Sequence, residues 1–142
     1  MSLPIAFWDS SALIRLCVEQ KQTERSTALF AIHGIAVWWS TPVEIISGLT
    51  RLMRMGEIGP DELLAGKRLA QTIATTWVSI NPSARIAAKA CSLLEVHPLS
   101  AADTLQLAAA LEWCEGNSKG QVFLTFDKRL QEAAGLAGFT LE

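Results

Sequence analysis

Short apolar runs alternate along this chain with longer stretches in which apolar residues return every three or four positions. The runs at 4–8, 35–39, 77–80, 122–126 and 139–141 are rich in branched and aromatic residues and predict strands. The stretches at 11–19, 23–32, 42–55, 60–76, 83–94, 100–114 and 128–134 carry helical period. Three helix starts are marked by a cap residue before a proline: Thr41-Pro42, Gly59-Pro60 and Asn81-Pro82. Strands this apolar need cover on both faces. The alternation therefore predicts an α/β fold with a central, mostly parallel sheet of four to five strands between helices, the last strand at an edge. No repeat, linker or low-complexity tract interrupts the pattern, and residues 116–120 form only a polar loop, so 1–142 is expected to be a single domain.

Composition narrows the function more than the fold. Half of the residues are hydrophobic (50%), enough for one sizeable core, while the net charge of −2 and pI near 5.7 exclude a protein that coats polyanions through bulk charge. Any nucleic-acid contact must then be local or assisted by a metal. Cys17, Cys91 and Cys114 are an odd set without C-x-x-C spacing, each in an apolar pattern, and read as reduced, buried thiols. The opening MSLPIAFWDSS has no basic leader, and no apolar run approaches the roughly 20 residues needed to cross a bilayer. A cytoplasmic protein without a membrane partner is expected.

In open α/β sheets, ligands bind beyond the carboxyl ends of the strands, which directs attention to the acids placed there. Asp9 ends the run PIAFW, Glu44 enters the helix after IAVWWS, and Asp127 follows VFLTF. Asp103 lies instead in the first turn of the apolar helix in LSAADTLQLAAAL, and position alone does not join it to the others. Each acid also has an ordinary structural reading, because carboxylates are favoured at helix starts. Thr41-Pro-Val-Glu44 reads as a capping box, Ser100-Ala-Ala-Asp103 nearly so, and Asp9 and Asp127 read equally well as N-caps.

If the acids converge, their mutual repulsion calls for a cation, and oxygen-only ligands select Mg²⁺ or Mn²⁺ over zinc. His33 and His97 are isolated from each other and from the cysteines, so no zinc pattern competes. Such a site suits phosphodiester hydrolysis without a nucleophilic side chain. Ser10, Ser11 and Thr125 stand beside the acids and can orient water or a phosphate oxygen, or simply close turns. Arg15, Arg51, Arg54, Lys128 and Arg129 lie on helices that begin at an acid and are candidate phosphate contacts, with solvated surface charge as the alternative. Arg51 falls two turns after Glu44 on nearly the same face. Trp8 reads as core. One of Trp38 and Trp39 remains open as a base-stacking surface, since neighbours on a strand face opposite ways. Gln106 and Glu112 interrupt an apolar face that reads as core packing.

DSSALIRL at Asp9, PVEIISGLTRL at Glu44, LSAADTLQLAAAL at Asp103 and FLTFDKRLQEAAGLAGFTL at Asp127 resemble the PIN-domain family, and within it the VapC toxins of bacterial toxin–antitoxin pairs. Four motifs in order over nearly the whole chain are far more specific than any single acid. The resemblance implies a PIN-like three-layer α/β/α domain and a Mg²⁺- or Mn²⁺-dependent endoribonuclease of tRNA or ribosomal RNA. It makes Asp9, Glu44, Asp103 and Asp127 the catalytic, metal-binding quartet, and so places Asp103 with the others. It further implies a homodimer held by a cognate antitoxin. Gly48, four residues after Glu44, is an unusual choice inside a helix and marks a close helix contact, with the dimer interface as one location.

Three other readings stand beside this one. A PIN-like module can keep its partner surface without hydrolysis, although such a module has no need of four acids. An aspartyl-phosphate enzyme would use Asp9 as nucleophile, but Asp9-Ser10-Ser11 lacks the second acid of a D-x-D signature. A DNA 5′-nuclease of related fold would be expected to carry more carboxylates and a larger basic surface.

Overall fold

The computed structural model describes residues 2–142. Five strands, β1 (Ile5–Trp8), β2 (Gly34–Trp38), β3 (Val78–Ile80), β4 (Val122–Leu124) and β5 (Thr140–Leu141), form one sheet in the order β3-β2-β1-β4-β5. Every pairing is parallel, so the sheet is wholly rather than mostly parallel, with β5 at an edge as the pattern predicts. Seven helices connect and cover it: α1 (Ser10–Cys17), α2 (Thr23–Ile32), α3 (Thr41–Arg54), α4 (Pro60–Ala74), α5 (Ala84–Leu94), α6 (Ala101–Trp113) and α7 (Lys128–Leu136).

Side-chain alternation along the strands divides the interior into two cores. Phe7, Ala36, Trp38 and Phe123 face α5, α6 and α7, where they meet Ile86, Leu107 and Leu130. Ala6, Trp8, Ile35, Val37 and Leu124 face the other way, against Leu13 of α1, Leu29 of α2 and Ile45 and Leu49 of α3. A slip of one residue in any strand would exchange the two sets, so burial on both faces fixes the register. Trp8 is core, as expected. Trp38 is buried and Trp39 is 57% exposed, which resolves the pair as opposite faces require.

Four local expectations are corrected. Asn81-Pro82 does not start a helix: Ser83 caps α5 by accepting the Ile86 N–H at 3.2 Å, and Pro82 stays outside. Ser40, not Thr41, is the N-cap of α3, which leaves Glu44 outside any capping box. Cys17 is buried, and burial pushes its thiol up to about 11, but Cys91 is exposed and Cys114 half-buried. Cys91 follows Ala90 and so falls off the buried stripe of Ile86, Ala90 and Leu93. Gly48 marks a close helix contact, but within the chain: a Cβ there would run into Ile14 Cδ1 on α1.

The strand order places a topological switch beside β1. Chain connections run from β1 towards β2 and β3 on one side, while β4 and β5 lie on the other. The carboxyl ends of β1 and β4 therefore flank the crevice in which doubly covered parallel sheets bind ligands.

Candidate active site

Asp9 and Asp127 follow β1 and β4, and the sheet continues to the first of them: the Asp9 N–H donates to Leu124 O at 2.9 Å. Although Asp9 holds the N-cap position of α1, its carboxylate makes no capping bond. Its Oδ2 accepts instead from Ser11 Oγ at 2.7 Å and from Thr125 Oγ1 at 2.8 Å. The same hydroxyls accept the backbone N–H groups of Phe126 (3.0 Å) and Asp127 (3.1 Å), which ties the loop after β4 to the start of α1. Asp127 is exposed and is a true N-cap, accepting the Leu130 N–H at 2.9 Å.

Glu44 approaches from the first turn of α3 and is held by three side chains. Ser10 donates to Oε1 at 3.2 Å, Ser40 donates to Oε2, and Gln106 Nε2 reaches both oxygens at 3.1 and 3.2 Å. Asp103 stands in the first turn of α6, where Ser100 Oγ accepts its backbone N–H at 3.1 Å, half of the anticipated capping box. Its carboxylate does not close the other half.

The electrostatics show which of these acids meet. Burial raises the carboxyl of Asp9 above its usual range, the Ser11 and Thr125 hydroxyls oppose this, and the charges of Glu44 and Asp103 raise it further. Asp103 is raised first by burial, then by Asp127 and Glu44, with Ser100 opposing. Asp103, the acid that position alone did not join to the others, feels Asp127 and Glu44 and itself acts on Asp9. Asp127 and Asp103 leave the cluster open to solvent, since one is exposed and the other half-buried.

No metal is needed to see what this donor set would hold. It is all oxygen, two of its members are pushed towards protonation, and a hard divalent ion would relieve both burial and repulsion. Among the described residues, no three His, Cys, Asp or Glu side chains stand close enough to form a ready cage.

The cations are arranged unequally. Arg15 is half-buried, donates to Ser11 O at 2.6 Å and Lys21 O at 2.9 Å, and lies 4.8 Å over the Phe126 ring. Burial lowers its pKa and the Asp9 carboxylate opposes that shift. Arg51 is exposed and lies roughly 10 Å along α3 from Glu44 at the rise of an α-helix. Arg54, Lys128 and Arg129 are also exposed, and among the described residues the ion pairs are His33–Glu142 and Arg85–Glu112 only. His33 and His97 are both buried, and His33 Nε2 meets Glu142 Oε2 at 2.7 Å.

The family model for the PIN domain matches residues 6–136. The chain belongs to the PIN-domain family. That match covers all four acids and every buried core residue but Phe139. Solved structures resemble this PIN domain at low identity over nearly full length. The FitAcB structure from Neisseria gonorrhoeae is 18% identical with a TM-score of 0.66, covering 96% of this chain and 97% of that one. The Mycobacterium tuberculosis VapC20 structure, a sarcin-ricin loop cleaving toxin, is 19% identical with a TM-score of 0.65 over 95% and 96%. A toxin–antitoxin complex from Klebsiella pneumoniae is 20% identical with a TM-score of 0.60 over 86% of each chain. No curated protein matches the chain significantly.

Three side chains that hold the acids are poorly marked in the sequence. Adjacency does not separate Ser10 from Ser11, yet Ser11 binds Asp9 directly while Ser10 binds Glu44. Ser40 carried no signal beyond its place before Thr41-Pro42. Gln106 reads as an interruption of core packing, although an amide inside an apolar helix face one turn after Asp103 is a signal in itself, because once buried it must find a partner.

Proposed function

We propose that this PIN domain is a Mg²⁺- or Mn²⁺-dependent endoribonuclease of structured RNA, of the tRNA or ribosomal RNA kind, acting as the toxin of a toxin–antitoxin pair. The observation that supports the reading is that acids from four separate helix starts lie within one another's electrostatic reach near the switch point of a parallel sheet, with Asp9 and Asp103 both raised by burial and by their neighbours. Ordinary caps do not need to face one another.

Asp9, Glu44, Asp103 and Asp127 are the catalytic, metal-holding quartet in this reading. A bound divalent ion would activate water and neutralise charge on the scissile phosphate. Ser11 and Thr125 hold Asp9 by one oxygen. Ser10, Ser40 and Gln106 engage both oxygens of Glu44, which therefore supplies charge from a fixed position. Arg15, pinned by two carbonyls beside Asp9, and the exposed Arg51, Lys128 and Arg129 are the phosphate contacts. Trp39, exposed at the end of β2 next to Ser40, is the surface for an unpaired base. Single-domain action, a cytoplasmic setting, a cognate antitoxin and a homodimer complete the proposal; among the described residues no helix is long and apolar enough to cross a membrane. Support for the partners comes from the toxin–antitoxin complexes of similar fold and from the exposed apolar pair Val43 and Ile46 on α3.

An Asp9 nucleophile is disfavoured by the same geometry, because the residue is 4% exposed and held through Oδ2 by two hydroxyls. The decisive experiment is cleavage of a mixed tRNA and ribosomal RNA preparation with Mn²⁺, comparing the wild type with Asp9→Asn and Asp103→Asn purified in parallel. Cutting at discrete sites that both variants lose supports the nuclease. Equal cutting by all three removes the acids from the chemistry, and a wild type free of antitoxin that cuts nothing leaves a binding module.

A further inference from the structure

Gln106 is fully buried on a helix whose other inward residues are almost all apolar: Leu107, Ala108, Ala109, Ala110 and Leu111 follow it directly. A leucine at this place would pack without any polar obligation. The amide is instead turned so that Nε2 reaches both oxygens of Glu44, while its own Oε1 is buried without a donor. The opposite orientation would set an amide oxygen against the carboxylate, so the chemistry of the pair allows only this one. A buried amide that leaves its carbonyl unsatisfied in order to present its N–H groups to one carboxylate is a local conflict of the kind expected at a functional site.

We propose that Gln106 is a positioning residue, fixing the orientation of the Glu44 carboxylate at the mouth of the acid cluster. Its effect on metal binding rests on the metal-dependent reading above; the clamp itself rests on geometry. Ser10 and Ser40 also donate to Glu44, but their hydroxyls rotate and are only half-buried. The amide comes from a helix packed across the sheet, has no freedom to leave, and spans both oxygens. Gln106 also lies three residues after Asp103, on the same side of α6. One rigid helix thus carries an acid of the cluster and the clamp on another, and it sets the position of Glu44 relative to Asp103. Groups that orient a metal-binding carboxylate from behind change affinity by ~10- to 100-fold when removed.

Two readouts test the clamp. In the wild-type protein, the side-chain amide protons of Gln106 should be shifted and slow to exchange by nuclear magnetic resonance, and Glu44→Ala should move them to ordinary positions. Gln106→Met keeps the volume and removes the donor. It should melt within a few degrees of the wild type yet bind Mn²⁺, followed by the paramagnetic resonance of the free ion, about 10-fold more weakly. The double variant Gln106→Met/Glu44→Gln should bind no more weakly than Glu44→Gln alone, because Gln106 acts only through Glu44. Unchanged Mn²⁺ affinity in Gln106→Met, or a double variant that loses the product of the two single effects, overturns the proposal. So do amide protons indifferent to Glu44→Ala, and that arm decides the matter even if the wild type binds no Mn²⁺. Weakened Mn²⁺ binding in Gln106→Met with no RNA cleavage by the wild type would keep the clamp and discard the nuclease. Cleavage with Mn²⁺ affinity unmoved would do the reverse.

Discussion

The ends of β1 and β4 look alike in sequence and differ in what they do. Both present an aspartate after an apolar strand and before a helix, and both aspartates occupy an N-cap position. At the end of β4, Asp127 is exposed and spends one oxygen on the Leu130 N–H, as a cap should. At the end of β1, Asp9 is buried, caps nothing, and is held by two hydroxyls in the field of two other acids. The Asp9 carboxylate thus holds the hydroxyls that tie the loop after β4 to α1, at the cost of its own burial, rather than capping its helix. The contrast teaches that position at a helix start does not distinguish a cap from a site residue, whereas the destination of its oxygens does.

The largest effect should come from removing the charge at β1. Asp9→Asn should lower RNA cleavage by at least ~10²-fold, the scale of losing a group that stabilises transition-state charge, and yet leave the protein folded. A melting curve beside the cleavage assay checks both halves; an Asp9→Asn protein that cuts normally would erase the contrast. Next, Ser11→Ala removes a donor to Asp9 and strands the buried end of the Phe126 N–H bond, which should cost about 1–3 kcal/mol in chemical unfolding. Ser10→Ala, which touches only Glu44, should cost less.

At the end of β4 the expected loss is smaller and separable. Asp127→Ala should destabilise the protein by about 1 kcal/mol through the lost cap. Asp127→Ser should recover most of that stability but not the cleavage activity, since a hydroxyl caps but carries no charge. Equal stability of Ala and Ser at this position would show that the cap is idle.

The pH dependence sharpens the comparison last, and its sign is unusual for an acid. Asp9 and Asp103 are raised in the folded state, so between the ordinary value of 3.8 and their raised values the folded protein binds more protons than the unfolded chain. Unfolding free energy therefore falls as pH rises through that window and stays reduced above it. In metal-free protein, Asp9→Asn and Asp103→Asn should flatten this fall and melt no lower than the wild type at neutral pH. Added Mn²⁺ should raise the wild-type melting temperature there and leave the double Asn variant unmoved. A wild type that gains stability relative to the variants as pH rises would reverse the assignment.

Much of the fold was legible because its signals are local and repeated. All five strands and seven helices fall where apolar periodicity places them, with shifts of a residue or two at their ends. The misplaced starts, Asn81-Pro82 and Thr41-Pro42, share one cause: a neighbouring serine, Ser83 or Ser40, took the cap, and proline tolerates either side of that boundary. Cys91 was misjudged because an apolar pattern does not say which face of α5 is turned inward. Asp9, Glu44 and Asp127 were legible as acids at strand ends, while Asp103 required the family motif, since nothing local says that the start of α6 returns to β1.

What the sequence determined by itself was the order of elements, the two-sided burial of the sheet and the inventory of acids, for each depends on spacing and polarity along a few consecutive residues. Only the tertiary structure decided that Asp9 is a buried carboxylate rather than a cap, that Ser11 rather than Ser10 serves it, and that Gln106 belongs to Glu44. Apart from the local Ser11–Asp9 bond, those outcomes depend on pairs 34 to 116 residues apart, and no local preference can encode which distant donor an acceptor will meet once the helices have packed.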